Sequence, residues 1–84
     1  MKRIRFSDGA KADIRAISQP IAMNILTAIH RLAETGAGRV KKLQGIDPPE
    51  FRLRVGNFRV RFTEEAGDTL LIDAVKNRKD AYRD

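Results

Sequence analysis

The fold of this 84-residue chain is decided by one stretch, Phe51-Arg52-Leu53-Arg54-Val55-Gly56-Asn57-Phe58-Arg59-Val60-Arg61-Phe62. Apolar and basic residues alternate on both sides of Gly56-Asn57, which is the period of β-strands with one buried face. Glycine and asparagine both tolerate positive φ and therefore suit a two-residue hairpin turn. The stretch predicts an antiparallel hairpin with one apolar face. The facing apolar pairs are Val55 with Phe58, Leu53 with Val60, and Phe51 with Phe62.

The same register puts four arginines on the opposite face of the hairpin, where Arg54 faces Arg59 and Arg52 faces Arg61. Like charges placed directly opposite one another destabilise a strand pair, by roughly a few tenths of a kcal/mol for each pair. The pattern therefore favours an outside polyanion, RNA above all, that neutralises the arginines. The alternatives are an ordinary solvated sheet face, or arginines that pair with acidic residues from elsewhere in the chain.

The distribution of charge agrees with a polyanionic partner. The chain has a net charge of +6 and a pI near 10.3. Residues 39–62 hold seven Lys or Arg against two acidic residues, a net charge of +5. Basic charge concentrated in one segment is typical of nucleic-acid binding. A basic surface that serves only solubility is the alternative.

Composition disfavours several other kinds of site. The chain has no cysteine, which excludes disulfides, thiolate zinc sites and thiol nucleophiles. Its single histidine, His30, lies off the apolar stripe of its predicted helix, so we expect it at the surface or half-buried. The sequence has no phosphate-binding glycine motif and no metal-ligand spacing, so we expect neither a cofactor nor a metal.

We also expect a cytoplasmic protein without a membrane partner. The apolar runs are short and interrupted by charge, and none approaches the roughly 20 apolar residues of a membrane span. The N-terminus is basic, but no apolar run follows it, so it is not a secretory signal.

Upstream of the basic segment, the sequence predicts one short strand and two helices. Residues 2–6 alternate and suggest a strand, and Ser7 then suits the N-cap of a helix with Ala10, Ile14 and Ile17 on one face. Ser18-Gln19-Pro20 interrupts that helix. A second helix starts near Pro20 and ends at Gly36, which is expected to adopt a left-handed cap. We expect the two helices to form an antiparallel pair that lies on the apolar face of the sheet.

The remaining residues predict three more features. Residues 39–44 read as a strand, residues 45–50 as a loop, and residues 70–76 as a last strand in the interior of the sheet, followed by a polar tail. The order is β-α-α-β-β-β-β. The predicted fold is therefore a single α+β domain over residues 1–84, with two N-terminal helices on a mostly antiparallel sheet of four to five strands.

The arginines suit one step of RNA cleavage better than the others. A guanidinium pairs with two phosphate oxygens and stays charged, so it can stabilise the extra negative charge of a phosphorane. With a pKa above 12, arginine is a poor base near neutral pH. Tyr82 could act as an acid or base or stack on a nucleobase, or it could pack against the sheet edge. Glu50 is the acidic residue nearest the cluster in sequence and is either a local counter-ion or a general base.

Three segments together resemble the RelE/ParE superfamily of bacterial toxin–antitoxin toxins. The hairpin motif is the most specific of the three, and the C-terminal arginine and tyrosine add to it. The segments are Lys42-Leu43-Gln44-Gly45, Phe51–Val60, and Asn77-Arg78-Lys79-Asp80-Ala81-Tyr82.

The resemblance implies a fold, an activity and partners. The family packs two helices against an antiparallel sheet, and a cognate antitoxin holds each toxin inactive. The RelE branch cleaves mRNA in the A site of the ribosome without a metal, by attack of the 2′-hydroxyl on the adjacent phosphate. Binding of ribosomal RNA is implied as well. The ParE branch instead poisons DNA gyrase. A non-catalytic RNA-binding member is a further alternative.

The resemblance also implies which residues act, and the RelE branch is the one these residues favour. Two departures bear on proton transfer: positions 52 and 54 are lysine in well-known ribonuclease members, and Asn77 stands where many members have histidine. The implied catalytic residues are Arg52, Arg54, Arg59, Arg78 and Tyr82. The expected RNA-binding residues are Lys41, Lys42, Arg61, Lys79 and Arg83.

Overall fold

The computed structural model describes residues 1–81, and it describes side chains over residues 1–79. This part of the chain forms five strands and three helices in one α+β arrangement. The elements are β1 (Arg3–Phe6), α1 (Asp8–Arg15), α2 (Gln19–Thr35), β2 (Arg39–Lys42), β3 (Glu50–Val55), β4 (Phe58–Glu65), β5 (Thr69–Asn77) and α3 (Arg78–Ala81).

The β3–β4 hairpin forms in the predicted register. Leu53 pairs with Val60 and Arg54 pairs with Arg59, so apolar and basic faces separate as the alternation requires. In the turn, Gly56 adopts a φ of 57°, whereas Asn57 does not enter the positive-φ region. One positive φ at the first central residue matches a type II′ turn. The turn length was therefore predicted correctly, and only its glycine needs the left-handed conformation.

The five strands lie in the order β1-β5-β4-β3-β2. Only β1 and β5 are parallel, and the other neighbouring pairs are antiparallel. The last strand is interior, as predicted, because β1 and β4 flank it. β2 forms one edge of the sheet, and all four of its residues are exposed.

Both predicted helices pack on the apolar face of the sheet. The Oγ of Ser7 accepts a hydrogen bond from the backbone N–H of Ala10 at 3.0 Å, so Ser7 is the N-cap of α1. Gly36 ends α2 in the left-handed conformation, with a φ of 77°. The core joins both helices to the three central strands. Its buried residues are Ala10, Ile25, Ile29, Leu32, Ala33, Leu53, Val60, Phe62, Leu70, Ile72 and Val75.

Helix α1 covers a free edge of β5. The pairing of β1 with β5 ends at Ile72, so the following residues of β5 have no strand on that side. The Oγ of Ser7 donates to the carbonyl oxygen of Asp73 at 2.9 Å. The Oδ2 of Asp13 accepts from the backbone N–H of Val75, also at 2.9 Å. Side chains of α1 therefore replace the missing strand, which is one way in which proteins protect a sheet edge.

The structure corrects several element boundaries. The strand predicted at 39–44 ends at Lys42, because the chain enters a loop that contains Gly45 at a φ of 75°. β4 and β5 run further than predicted, and the short helix α3 was not predicted. Asp73 is the extra residue of a β-bulge, because Arg61 pairs with Ala74 while Phe62 pairs with Ile72.

The Asp13 carboxylate should contribute measurably to stability. We expect Asp13→Ala to lower the free energy of unfolding by roughly 1–3 kcal/mol, because it leaves the backbone N–H of Val75 without its partner. Urea denaturation would measure the change. Asp8→Ala is the matched control, since Asp8 is an exposed acidic residue of the same helix and should cost roughly 1 kcal/mol or less. Equal losses in the two variants would contradict the role given to Asp13.

Candidate anion-binding site

On strands β2 to β5, the register gathers seven basic residues on the sheet face that points away from the helices. One row crosses four strands, with Arg39 opposite Arg54, Arg54 opposite Arg59, and Arg59 opposite Lys76. A second row places Lys41, Arg52 and Arg61 side by side. Neighbouring strands lie about 4.8 Å apart, so these cations are close neighbours. We call Arg39, Lys41, Arg52, Arg54, Arg59, Arg61 and Lys76 the basic face.

Arg61 and Lys76, at the border of the basic face, are paired with carboxylates of the described residues. Arg61 donates through Nη2 to Oε1 of Glu50 at 3.0 Å, and Lys76 donates through Nζ to Oδ1 of Asp13 at 2.9 Å. Glu50 is therefore a counter-ion of Arg61, one of the two roles expected for it. Both pairs lie at the border of the basic face.

Other members of the basic face line a cleft. Among the side chains of residues 1–79, no carboxylate lies within ion-pair distance of Arg39, Lys41, Arg54 or Arg59. These four residues, with Arg52, Gly38 and Val40, line a cleft of about 430 Å³. One alternative was that acidic groups of the chain neutralise the arginines. Within the described residues this is true of Arg61, but not of the four cleft residues without a carboxylate partner. An anion in the cleft would neutralise them.

Arg59 is buried, which its position on a polar sheet face did not predict. Only 4% of its surface is exposed. Its Nη1 donates to the carbonyl oxygens of Gly56 and Phe58, both at 3.0 Å, so the guanidinium is held against the hairpin turn. Burial of a cation without an anion costs free energy. The turn fixes the position of Arg59 before any ligand arrives, and a bound anion would offset this cost.

The C-terminal element begins next to the same turn. The backbone N–H of Arg78 donates to the carbonyl oxygen of Asn57 at 2.6 Å, and the Arg78 side chain is exposed. Asn77 accepts from the backbone N–H of Lys79 through Oδ1 at 3.1 Å. The predicted site residues Arg78 and Lys79 therefore start near the end of the basic face that holds Arg59. Tyr82 and Arg83 lie outside the described residues.

The structure does not bring every predicted residue to the basic face. Lys42 pairs with Phe51, so it lies on the opposite face of β2 from Lys41. The prediction that groups it with Lys41 is corrected by the register, because neighbouring residues of a strand point to opposite faces. His30 is exposed on α2, in agreement with its predicted surface position.

Two basic residues of the face were missed. Arg39 follows from the alternation Arg39-Val40-Lys41, which could have been read in the same way as the hairpin. The position of Lys76 on the basic face could not be predicted from alternation. Without the bulge at Asp73, strict alternation would put Lys76 on the same face as the buried Ile72, and the bulge moves it to the basic face.

Carboxyl groups limit the basic face on one side. Burial raises the pKa of Asp73 above its ordinary value, the nearby charge of Glu50 raises it further, and Arg61 lowers it. Glu65 adds to the rise and is itself paired with Arg5, whose Nη1 lies 2.7 Å from Oε1 of Glu65. Beyond Arg61, carboxyl groups therefore accompany the basic residues of this sheet face.

Two general features of the described residues bear on function. No group of three metal-binding side chains is found among them that could hold a metal ion. None of the helices in this part of the chain is long and apolar enough to cross a membrane.

The fold and the site can now be compared with known proteins. A family model described as the ParE toxin of type II toxin–antitoxin systems, parDE, matches residues 4–82. No curated protein matches the chain in sequence.

Several solved structures are similar to this chain. The RelB–RelE antitoxin–toxin complex from Methanococcus jannaschii has a TM-score of 0.74 and 26% identity, over 93% of this chain and 94% of that chain. The RelE–RelB complex from Pyrococcus horikoshii OT3 has a TM-score of 0.75 and 19% identity, over 92% and 94% of the chains. The isolated RelE toxin of E. coli has a TM-score of 0.74 and 13% identity, over 92% and 84%. At identities this low, the last two structures show a shared fold only.

The family match covers nearly the whole chain, and the five-stranded fold agrees with the predicted two helices on a mostly antiparallel sheet of four to five strands. The chain therefore belongs to the ParE toxin family of type II toxin–antitoxin systems, within the RelE/ParE superfamily, and has a RelE-like fold.

Proposed function

We propose that this toxin is a metal-independent endoribonuclease that cleaves mRNA in the ribosomal A site and so arrests translation in the cytoplasm. The observation that carries the proposal is the cleft of the basic face, in which Arg39, Lys41, Arg54 and Arg59 have no carboxylate partner among the described residues. A phosphodiester in the cleft would supply the missing negative charge. Guanidinium groups suit phosphate oxygens because their donors match them in pairs.

The proposed reaction is an attack of the 2′-hydroxyl of one nucleotide on the adjacent phosphate. The 2′-oxygen bonds to phosphorus, the bond to the 5′-oxygen breaks, and the proton lost by the hydroxyl is balanced by one delivered to the leaving oxygen. Arg52, Arg54 and Arg59 would stabilise the negative charge of the phosphorane. Arg59 suits this role because the turn carbonyls already hold its guanidinium in place.

Proton transfer is the step for which the basic face has the fewest suitable groups. Arginine does not give up its proton near neutral pH. In the proposal, Tyr82 and groups of the ribosome supply the acid and the base. We therefore expect little cleavage of free RNA by this protein.

A cognate antitoxin is the second proposed partner. The similar structures include complexes of RelE with the antitoxin RelB. An antitoxin for this chain would need acidic residues to complement a protein with a net charge of +6.

Inhibition of DNA gyrase by protein binding is the second candidate function. The specific observation in its favour is the family model, which is described by the ParE toxin. A gyrase inhibitor needs a complementary protein surface and has no requirement for a phosphate site. The arginines without carboxylate partners are the reason for preferring the ribonuclease.

Arg54→Ala should strongly reduce mRNA cleavage. Loss of one donor to the phosphorane lowers the rate by roughly 10²–10³-fold. Arg54 is exposed, so the fold should be kept. The measurement is cleavage of a translated message on purified ribosomes, with circular dichroism as the check on folding. Arg15→Ala, an exposed arginine at the end of α1, is the control and should cleave like the wild type. The site assignment fails if the two variants cleave equally well.

Tyr82→Phe should slow cleavage while leaving RNA binding unchanged, because it removes only the phenolic hydroxyl. A loss of roughly 10²–10⁴-fold in rate is typical for removal of a general acid or base. Single-turnover cleavage on ribosomes and filter binding of RNA would separate the two quantities. A parallel loss of binding would instead assign the ring to stacking, and an unchanged rate would remove Tyr82 from the reaction.

Induction of the toxin in bacteria distinguishes the two candidate functions. We expect translated messages to be cut while the chromosome stays intact, because the proposed site binds ribose phosphates and requires a 2′-hydroxyl. Primer extension on abundant messages and a reporter of the SOS response would measure both effects. Chromosome breaks and an SOS response with intact messages would contradict the ribonuclease and support gyrase inhibition. The Arg54→Ala variant serves as the matched induction control.

A further inference from the structure

Strand β2 forms one wall of the cleft at an open edge of the sheet. Arg39 and Lys41 are exposed and point to the same side as Arg52 and Arg54 of the neighbouring strand. The described part of the chain supplies no carboxylate within ion-pair distance of Arg39 or Lys41. This wall is therefore available to the same kind of ligand as the centre of the cleft.

Gly38 allows β2 to lie close to β3. A Cβ at position 38 would lie 2.9 Å from Cδ1 of Leu53, which is a buried core residue, and Gly38 has a φ of 155° that side chains rarely allow. Any other residue here would push either β2 or Leu53 away. The glycine is thus a positioning residue that brings Arg39 and Lys41 alongside the arginines of β3.

The surroundings leave the cleft few directions in which a polyanion can continue. Beyond Arg61, Glu50 is paired with Arg61 and Glu65 with Arg5, and the carboxyl group of Asp73 lies near them, so the cations on that side already have acidic neighbours. On the β5 side, Lys76 is already paired with Asp13 of α1. The β2 edge is basic and open. The cleft has one other open side, at the hairpin turn near the start of α3. The described residues place no carboxylate beside the basic face there.

We propose that Arg39 and Lys41 form an outer phosphate subsite, so that single-stranded RNA crosses the sheet and leaves the cleft over β2. The row of cations supports this path because it runs across the strands, from Arg39 through Arg54 to Arg59. The inner residues bind the reacting phosphate, and the outer subsite binds a phosphate further along the strand. The inference rests on the proposed ribonuclease function and extends it to residues that lie outside the reaction itself.

Oligonucleotides of two lengths test the outer subsite. The probes are a dinucleotide and a hexanucleotide of uridine with 2′-O-methyl groups, which prevent cleavage, and the measurement is fluorescence anisotropy at several salt concentrations. The wild type should bind the hexanucleotide at least about tenfold more tightly, since one charge-assisted phosphate contact contributes roughly that factor. Arg39→Ala should remove most of this advantage and reduce the salt slope by about 0.7, and it should weaken hexanucleotide binding much more than dinucleotide binding.

Lys42→Ala is the matched control, because Lys42 lies on the same strand and is exposed but points to the other face. It should bind both probes like the wild type. Gly38→Ala should reproduce the loss seen in Arg39→Ala if the glycine positions β2, with circular dichroism to confirm a folded domain.

Two results would overturn the outer subsite. One is a wild type that gains nothing from the longer probe, and the other is an equal effect of Arg39→Ala and Lys42→Ala. Neither result would contradict the proposed function, which fails separately if induction of the toxin breaks the chromosome and leaves translated messages intact.

Discussion

Apolar pairing across the β3–β4 hairpin is the constraint on which the rest of the structure depends. Leu53 and Val60 face each other and are almost fully buried. The rings of Phe51 and Phe62 stack, with centroids 5.4 Å apart. Since side chains alternate along a strand, burial of this face by the helices forces the arginines to the other one. A shift of one residue would bury the guanidinium groups, so the hydrophobic core fixes the register and the register fixes the site.

The basic face combines like charges that do not stabilise the fold. Its cations face one another across four strands, and described carboxylates pair with Arg61 and Lys76 at the border. The burial of Arg59 adds to the unfavourable free energy. Electrostatics of this kind is common at functional sites, where a ligand supplies the compensating charge. The like charges and the buried Arg59 therefore lower the stability of the fold at the surface where we propose that the protein binds RNA.

The free edge of β5 shows how backbone hydrogen bonding shapes the same site. β1 stops at Phe6, so the backbone groups of β5 beyond that point have no strand partner. The side chains of Ser7, the N-cap of α1, and Asp13 of α1 hydrogen-bond to them instead. The bulge at Asp73 then turns Lys76 outward, where it meets the Oδ1 of Asp13. The packing of α1 on the free edge of β5 therefore also fixes the position of Lys76 in the basic face. The carboxyl groups at this border also limit the directions in which a polyanion can extend.

What the sequence by itself determined is local: the hairpin register, the Ser7 and Gly36 caps, the α+β class and the four arginines on one face. Each depends on residues close together in the chain, where period and capping rules apply. The tertiary structure alone decided that Arg59 is buried and that Lys76 joins the basic face. Those outcomes depend on where a strand ends, where a bulge forms and which helix covers an edge, and these are settled by contacts between residues distant in sequence.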